Sequence, residues 1–519
     1  MLMGYLNELI QRAKQAEQDS SNKQEKKKKK KDILEGKQKI LIDEYGDVKI
    51  YRVSGEPLLY YTVPVPRPTG TERRVINLLK EATARLVSIS TAQFRDPEAR
   101  RNFYKQKVLE IIDTVPELGI PRTRREFYAD AVVREIVGYG IIDPLVRDDQ
   151  LEEIMVIGPE KPVYVFHRKY GMMKTNVVFY SDQEIRDLID KIAREVGRHI
   201  DAQSPLLDAR LPDGSRVNAT IPPASVDGST ITIRKFRKNP YTIIDLIDFG
   251  TFTPEVAAFL WLAVDGFGAR PANILIAGGT GSGKTTTLNV LATFIPAHER
   301  IITIEDTAEL NLPLEHWVRL EARPPGLEGT GEITMDILVK NALRMRPDRI
   351  IVGEVRHKEA YTLFTAMNTG HDGCMGTIHS NSAEETMVRI TSPPMEVPEI
   401  MATALDFIIV QHRIHDRRKG TIRRVTEIAE VRKVDNKPKV VDLYVWDAKS
   451  DTLLAINENV AYLRELSEFT GLSVDALRDE IGRRTYFLQR LREEGIRDLK
   501  RLKAYIQRYY EEASKIWKK

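Results

Sequence analysis

One short segment, Gly278–Thr285, constrains the fold of this 519-residue chain more than any other. It has the pattern G-x-x-x-x-G-K-[ST], follows the apolar run Ile274–Ala277, and precedes a helical stretch, Thr286–Phe294. A strand, a glycine-rich loop and a helix in this order place backbone N–H groups and the positive end of a helix around phosphate oxygens. A glycine-rich turn with a chance lysine is the alternative, and the order of the three elements argues against it.

The same segment predicts a site for ATP and Mg²⁺. In loops of this kind the lysine reaches the β- and γ-phosphates, and the hydroxyl residue that follows ligates the metal. These roles fall to Lys284 and Thr285. The residues predicted to bind the nucleotide are consecutive: Gly278, Gly279, Thr280, Gly281, Ser282, Gly283, Lys284, Thr285 and Thr286.

Acidic residues follow two further apolar strands of the same region. Glu305 ends the run Ile301–Ile304, and Glu354 comes two residues after the run Ile350–Val352. Ligands of open α/β sheets bind at the carboxyl ends of the strands, so both carboxylates are expected to face the phosphates. We therefore predict phosphoryl transfer to water, with Glu305 as the water activator and Glu354 as a metal ligand beside Thr285. Which carboxylate is the general base stays open.

Two histidines, His371 and His379, flank the apolar strand Met375–Ile378. A shared metal site is disfavoured, because the short H-x-x-x-H and C-x-x-C ligand spacings are absent. At a strand end beside a nucleotide, His379 is placed to hydrogen-bond the γ-phosphate and to respond to its loss. A core histidine without a catalytic role is an equal alternative.

The charge of the chain is unevenly distributed. Residues 1–31 carry nine basic and four acidic side chains, a net of +5, which leaves −1 for residues 32–519 out of the total of +4. A near-neutral body argues against a broad surface for nucleic acid, so no nucleic acid is expected as a partner. The lysine run is either a solvated linker or a segment that is attracted to anionic lipid headgroups. The apolar stretches are too short to span a bilayer, and a single cysteine excludes an internal disulfide, so a cytoplasmic location is expected.

Apolar strands that alternate with helices predict an α/β core with a parallel-rich sheet, preceded by a mixed α+β N-terminal region. At the other end, Ser473 suits a helix N-cap and Gly495 a helix stop. The six predicted regions are a lysine-rich flexible segment (1–32), a first N-terminal domain of strands and then helices (33–130), a second N-terminal α+β domain (131–238), a linker (239–251), an ATPase core (252–456) and a C-terminal helical subdomain (457–519).

Four segments together resemble motifs of the type II/IV secretion ATPase superfamily. These motifs are the Walker A, the aspartate box, the Walker B and the histidine box. The segments that resemble them are, in the same order, Gly278–Thr285, Ile304–Glu309, Val352–Arg356 and Thr369–His379. The likeness covers roughly residues 130–430. It implies a RecA-like P-loop ATPase domain, Mg²⁺-dependent ATP hydrolysis and a ring-shaped homo-hexamer.

The resemblance also assigns roles to two arginines outside the ATPase core. Arg216 lies in Leu211–Val217 and Arg234 in Ile233–Lys235, and both segments are similar to the superfamily's second N-terminal domain. By that similarity, Arg216 and Arg234 would reach the γ-phosphate when the domains close over ATP. Ordinary surface ion pairing is the alternative for both.

Within the superfamily, Arg344–Glu354 and His371–Asn381 resemble the archaellum motor ATPase, which assembles and rotates an archaeal filament. The implied partners are a polytopic membrane platform protein and cytoplasmic motor accessory proteins, with peripheral contact at the cytoplasmic face of the membrane. An archaeal type IV pilus or type II-like secretion ATPase is the nearest alternative. A nucleic-acid translocase of conjugation type and an ATP-responsive scaffold are alternatives from other classes.

Overall fold

The computed structural model describes residues 38–517 apart from 66, 67, 69, 87–96, 116, 117, 238, 324, 326–329 and 417–419. The predicted lysine-rich segment, residues 1–32, lies outside the described residues. The chain divides into two units, Met1–Arg237 and Lys238–Lys519, each with a sheet and a hydrophobic core of its own.

The first unit is a mixed α+β structure, as its sequence predicts. Its first two strands form a hairpin that turns at Gly46 and Asp47. In chain order the described elements are β1 (Lys39–Tyr45), β2 (Val48–Val53), β3 (Leu59–Thr62), α1 (Gly70–Leu86), α2 (Pro97–Thr114), α3 (Arg125–Ile136), α4 (Asp143–Arg147), β4 (Leu151–Val156), β5 (Pro162–His167), β6 (Gly171–Val178), α5 (Asp182–Glu195), β7 (Leu206–Arg210), β8 (Arg216–Thr220) and β9 (Thr230–Arg234).

These strands form one sheet in the order β1-β2-β3-β6-β5-β4-β9-β8-β7. Strands β3 and β6 are parallel, and the other neighbouring pairs are antiparallel. Strands from the predicted domains 33–130 and 131–238 therefore share a sheet, and the two regions belong to one unit. Helices α1–α3 separate the strands along the chain and build a small core of their own, which is why the sequence suggests two domains.

A buried polar cluster ties β1 to the middle of this sheet. His167 is only 2 % exposed, and its Nδ1 accepts hydrogen bonds from the backbone N–H groups of Lys169 (3.0 Å) and Tyr170 (3.3 Å). The ring proton is therefore on Nε2, which lies 3.2 Å from the Tyr45 hydroxyl. That hydroxyl donates in turn to Asp148 at 2.8 Å. The cluster is fully hydrogen-bonded only while His167 is neutral.

The second unit alternates strands and helices before it ends in a helical segment. Its described elements are α6 (Ile243–Asp248), α7 (Pro254–Asp265), β10 (Ile274–Ala277), α8 (Lys284–Ala292), β11 (Ile301–Glu305), β12 (Trp317–Glu321), α9 (Met335–Ala342), β13 (Arg349–Val355), α10 (Glu359–Asn368), β14 (Met375–Ile378), α11 (Ala383–Thr391), α12 (Glu399–Ala402), β15 (Phe407–Asp416), β16 (Gly420–Val434), β17 (Lys437–Asp447), β18 (Thr452–Ala455), α13 (Ala461–Thr470), α14 (Val474–Glu493) and α15 (Leu499–Trp517).

The sheet of the second unit has the order β12-β11-β13-β14-β10-β15-β16-β17-β18. Neighbours from β12 to β15 are parallel, and those from β15 to β18 are antiparallel. The predicted fold class, an α/β core with a parallel-rich sheet after a mixed α+β region, is confirmed. Strands β12 and β15 and the long antiparallel extension β16–β18 were not predicted.

The predicted linker, residues 239–251, contains the short helix α6. Thr242 caps its first turn, since the Thr242 side chain accepts from the Asp245 N–H and the Asp245 carboxylate accepts from the Thr242 N–H. Four apolar residues of this helix are buried in the core of the second unit. Six residues are too few to show a helical period, and the flanking Pro240 and Gly250 resemble loop punctuation, so the sequence pattern indicated a linker.

Helix α7 is apolar on every side and is buried around its whole circumference from Val256 to Asp265. A helix of this kind lies in the centre of a large core. Its twelve residues are fewer than the roughly 20 that cross a bilayer. In the part of the chain that the structure describes, no helix combines the length and the apolar character that crossing a bilayer requires.

The C-terminal helices pack against α7 and share its core. Arg484 of α14 forms buried ion pairs with Asp265 (2.7 Å) and Glu480 (2.9 Å), and its guanidinium lies 4.8 Å from the centre of the Trp261 ring. A guanidinium group keeps its charge in the interior of a protein only when carboxylates pair with it fully. Ser473 caps α14 by accepting from the Ala476 N–H, as predicted.

Acidification is expected to destabilise the first unit through His167. Burial lowers the pKa of the His167 imidazole below its ordinary value of about 6.5. As the pH falls through about 6.5, the unfolded chain takes up a proton that the folded unit excludes, so the free energy of unfolding decreases. Hydrogen exchange of peptides covering β1 and β5, corrected for the intrinsic effect of pH, should show less protection at about pH 5.5 than at about pH 7.5.

The variant His167→Gln should lose this pH dependence, because a neutral side chain replaces the titrating one. His199→Gln, at an exposed position of the same unit, serves as the control and should keep it. Equal protection of wild-type β1 at both pH values would contradict the assignment.

Candidate active site

The glycine-rich loop begins where β10 ends. Strand β10 pairs with β14 on one edge and β15 on the other, and all four of its residues are buried. A Cβ on Gly278 would lie 2.2 Å from the carbonyl oxygen of Gln411, so only glycine fits there. Gly281 (φ +71°) and Gly283 (φ +99°) adopt the left-handed backbone that lets the loop curl before α8 begins at Lys284. The loop therefore has the strand, turn and helix N-terminus that hold phosphate.

The residues of the loop differ in their exposure to solvent. Gly278, Ser282 and Lys284 are buried, Thr280 and Gly281 are exposed, and the other four predicted nucleotide-binding residues are half-buried: Gly279, Gly283, Thr285 and Thr286.

Two buried polar groups of the loop suit an anionic ligand. The Lys284 ammonium donates to the carbonyl oxygens of Gly278 (2.7 Å) and Gly279 (3.0 Å). Burial lowers the pKa of Lys284, and the nearby Glu354 carboxylate opposes that shift. The Ser282 hydroxyl is buried and has no hydrogen-bond partner among the described residues. Phosphate oxygens would satisfy both groups, so the loop fits a nucleotide phosphate.

Glu305 lies at the carboxyl end of β11 and is only 2 % exposed. Its Oε1 accepts from the backbone N–H groups of Glu309 (2.7 Å) and Leu310 (2.9 Å), whereas its buried Oε2 has no partner within the described structure. Burial raises the pKa of the Glu305 carboxyl, and the two backbone donors oppose that shift. The carboxylate is thus held in one orientation with one oxygen available to accept a proton.

Glycine at position 353 allows β13 to approach this carboxylate. A Cβ on Gly353 would lie 2.9 Å from the Glu305 Cγ and 3.5 Å from its Cα. The pairing of β13 with β14 is irregular between Val352 and Val355, where the strand carries Glu354. Glu354 accepts a hydrogen bond from Arg356 at 2.7 Å and is partly exposed. Both predicted acids therefore lie at the carboxyl edge of the same parallel sheet.

The two histidines of the third motif lie at opposite ends of β14. His379 follows the strand at its carboxyl end and is half-buried. There the Gly278 N–H donates to the Ile378 carbonyl at 3.2 Å, which brings His379 next to the start of the loop. His371 precedes the strand, at the end remote from the loop. Only His379 is placed with the predicted site residues of this unit.

The predicted arginines Arg216 and Arg234 are neighbours within the first unit. They are directly opposite each other on the antiparallel strands β8 and β9. Arg234 also donates to Glu153 of β4 at 2.6 Å, which is the surface ion pairing considered as the alternative role.

Residues of the β15–β16 hairpin contact the loop and were missed by the sequence prediction. Gln411 is buried and its Oε1 accepts from the Thr287 hydroxyl of α8 at 2.6 Å. Arg423 Nε donates to the Gly281 carbonyl at 3.0 Å. The available signal was the apolar run Phe407–Val410. It is followed directly by the polar Gln411, just as predicted strands of this sheet are followed by a polar site residue.

The donor set is compatible with a magnesium nucleotide. Among the described residues, no group of three or more His, Cys, Asp or Glu side chains is arranged to hold a metal ion. Mg²⁺ sites of nucleotide enzymes take one or two protein oxygens and complete the shell with phosphate oxygens and water. The Thr285 hydroxyl and the Glu354 carboxylate are oxygen donors of this kind.

Comparison with known proteins agrees with this geometry. A family model described as "Type II/IV secretion system protein" matches residues 135–462. The chain belongs to this family. This confirms the superfamily predicted from the four motifs, that of the secretion-system ATPases. The match covers nearly all of the second predicted N-terminal domain and the whole predicted core.

Relatives and solved structures of this type come from several organisms. An uncharacterized protein of Methanocaldococcus jannaschii is 36% identical, over 73% of this chain and 76% of its own length. A putative conjugal transfer protein of Mycobacterium tuberculosis is 34% identical, over 62% of this chain and 93% of its own. The crystal structure of the VirB11 ATPase from the Brucella suis type IV secretion system is 28% identical over 55% of this chain and 94% of its own, with a TM-score of 0.28.

Replacing Gly353 with alanine is expected to destabilise the second unit. The added Cβ would meet Glu305 at 2.9 Å, and Glu305 cannot move freely because two backbone N–H groups hold it. Overpacking of this kind lowers the free energy of unfolding by about 1–3 kcal/mol. Urea unfolding followed by tryptophan fluorescence measures the change.

Gly482→Ala is the matched control, since nothing lies within 4 Å of a Cβ at that position in the middle of α14. It should raise stability by up to about 1 kcal/mol, because alanine favours a helix over glycine. A Gly353 variant as stable as the wild type would disprove the close approach of β13 to Glu305.

Proposed function

We propose that this protein hydrolyses ATP with Mg²⁺ and acts as the ring-forming motor of a filament-assembly or secretion machine. One observation carries the proposal. Glu305 is buried at the same sheet edge as the phosphate-binding loop, with one oxygen held by backbone N–H groups and the other without a partner in the described structure. A carboxylate with a raised pKa and an open acceptor is suited to take a proton from water.

Each site residue has one role in this proposal. Lys284 and the N–H groups of the loop bind the phosphates, and Thr285 and Glu354 ligate the metal. Bound Mg²⁺ supplies neutralisation of the charge on the β- and γ-phosphate oxygens. Glu305 orients the attacking water and accepts its proton, while His379 hydrogen-bonds the terminal phosphate.

The machine that we propose is the archaellum, with this chain as a homo-hexameric motor. The support is the resemblance of Arg344–Glu354 and His371–Asn381 to the archaellum motor ATPase. The partners would be a polytopic membrane platform protein and cytoplasmic accessory proteins, with peripheral contact at the cytoplasmic face of the membrane. An archaeal type IV pilus or type II-like secretion system would use the same chemistry with a different platform.

Nucleic-acid translocation is a second candidate function. It is favoured by the name of one relative, a putative conjugal transfer protein. The net charge of −1 over residues 32–519 opposes it, because such proteins need clustered cations along their path. Turnover measured with and without single-stranded DNA separates the candidates, since strong stimulation by DNA would favour translocation.

The purified full chain is expected to hydrolyse ATP, and Glu305→Gln and Glu354→Gln should each lower kcat by about 10²-fold to 10⁴-fold. Glutamine keeps the size of the side chain but cannot accept a proton or offer an anionic ligand. Because burial raises the pKa of Glu305, kcat should also fall on acidification as this carboxyl becomes protonated. Steady-state phosphate release across a range of pH tests both statements.

Glu399→Gln, at an exposed surface position, is the control and should match the wild type. Turnover by the Glu305 and Glu354 variants at the control's rate would exclude hydrolysis at this site. Binding of ATP without turnover under any condition, including added lipid, would favour an ATP-responsive scaffold.

The arginines Arg216 and Arg234 are expected to stabilise charge on the terminal phosphate during hydrolysis. Replacing either with alanine should then lower kcat by about 10³-fold or more, as for other arginines that act on phosphoryl transfer. Arg198→Ala, an exposed arginine of the same unit, should leave kcat unchanged. Wild-type turnover in both Arg216→Ala and Arg234→Ala would show that these residues serve only in surface ion pairs.

A further inference from the structure

The β15–β16 hairpin extends past the carboxyl edge of the parallel sheet. Strand β15 pairs with β10 only as far as Val410, which is opposite Ala277. Its last six residues, 411–416, continue beyond that point and pair only with β16 in the described structure. The glycine-rich loop leaves β10 at the same level, so this part of the hairpin runs beside the loop.

Two arginines of the hairpin lie against the loop. Arg413 and Arg423 are directly opposite each other on the antiparallel strands. Arg423 Nε donates to the Gly281 carbonyl at 3.0 Å, and Arg413 Nη1 lies 3.1 Å from the position that a Cβ would occupy on Gly281. Arg413 is exposed and Arg423 is half-buried, so a ligand on the loop can reach both guanidinium groups.

The charges of this pair favour an anion beside it. Like charges directly opposite each other on two strands repel. A guanidinium group offers several donors in a plane, which can bind phosphate oxygens with two hydrogen bonds or stack on a base. An anionic ligand on the loop would therefore relieve the repulsion and use both side chains.

The order of the strands indicates which part of the ligand lies there. Glu305 and Glu354 are carried by β11 and β13, on one side of β10, whereas the arginines are carried by β15 and β16 on the other side. In the proposed reaction the terminal phosphate meets the acids and the loop holds the middle of the phosphate chain. The nucleoside half must then extend toward the hairpin.

We infer that Arg413 and Arg423 bind the nucleoside part of a nucleotide seated on the glycine-rich loop. The inference rests on the proposed function and adds two binding residues to its site. Neither arginine is required for the attack of water, since both lie on the side of β10 away from the acids. Their contribution is to the binding of the substrate and the product alike.

This role separates binding from catalysis in a kinetic measurement. An interaction that is equal in the substrate complex and the transition state changes KM and leaves kcat unchanged. Arg413→Ala and Arg423→Ala should therefore each raise the KM for ATP and the Kd for ADP by about 10-fold to 100-fold. A change of this size is expected for a lost charge-assisted hydrogen bond. Their kcat at saturating ATP should stay within about twofold of the wild type.

Isothermal titration of the full chain with ADP and with inorganic pyrophosphate locates the contact. Both arginine variants should lose affinity for ADP but bind pyrophosphate as the wild type does, because pyrophosphate has no nucleoside part. Lys433→Ala, an exposed cation farther along β16, should behave as the wild type with both probes. Circular dichroism of each variant confirms folding before titration.

Wild-type affinity for ADP in both arginine variants would overturn the inference. An equal loss of pyrophosphate affinity would also overturn it, since the arginines would then act by holding the loop in shape. Lys284→Ala separates this result from failure of the proposed function. If Lys284→Ala abolishes binding of ADP while the arginine variants retain it, only the inference fails. If Lys284→Ala also binds ADP normally, the nucleotide site itself is misplaced.

Discussion

The pairing of β10 on both edges is the constraint on which the proposed site depends. This strand is buried on both faces and hydrogen-bonded to β14 and β15, so it cannot shift without breaking two ladders. Its register places Ala277 opposite Ile378 on one side and Val410 on the other. The residues that follow, His379 and Gln411, are therefore next to the first glycine of the loop. A slip of one residue would turn each side chain to the opposite face of the sheet.

Burial acts in opposite directions on the two principal ionisable groups of this site. It lowers the pKa of the Lys284 ammonium and raises the pKa of the Glu305 carboxyl, because a buried charge loses its hydration. A bound phosphate would favour the charged form of Lys284. The same negative charge would disfavour an ionised Glu305, which its two backbone donors and the positive charge of Arg319 stabilise. In the proposed reaction this carboxylate would accept a proton readily when water attacks the terminal phosphate.

The elements that the sequence predicted are those with a local signature. The loop Gly278–Thr285 and the acids Glu305 and Glu354 each follow a short apolar run, which is the pattern of a buried parallel strand. Strand β12 is half-exposed and lacks such a run, and β16 and β17 have mixed patterns over 15 and 11 residues. Gln411 lies 124 residues beyond Thr287, its hydrogen-bond partner beside the loop. No local sequence pattern indicates a contact between residues that are so far apart in the chain. The buried helix α6 was missed because six residues show no period.

The phosphate-loop helix α8 is held at both of its ends by segments that are distant in the sequence. At its first turn, Gln411 accepts from Thr287. Beyond its last turn, Lys503 of α15 donates to the carbonyl oxygens of Thr293 and Ile295. A cation at the carboxyl end of a helix opposes the negative end of the dipole, although burial lowers the pKa of Lys503 to about 8.

The C-terminal helix is therefore part of the support of the phosphate loop. Tyr510 adds a hydrogen bond to the Phe294 carbonyl at 2.7 Å and accepts one from Trp261 at 2.6 Å, which links α15 to α7 as well. Helix α8 has nine residues and spans about 13 Å, so both supports are close to the loop that it carries. A helix fixed at both ends moves only together with its neighbours. Any change in the position of the loop must then involve the hairpin and the C-terminal helices, which the sequence had set apart as a separate subdomain.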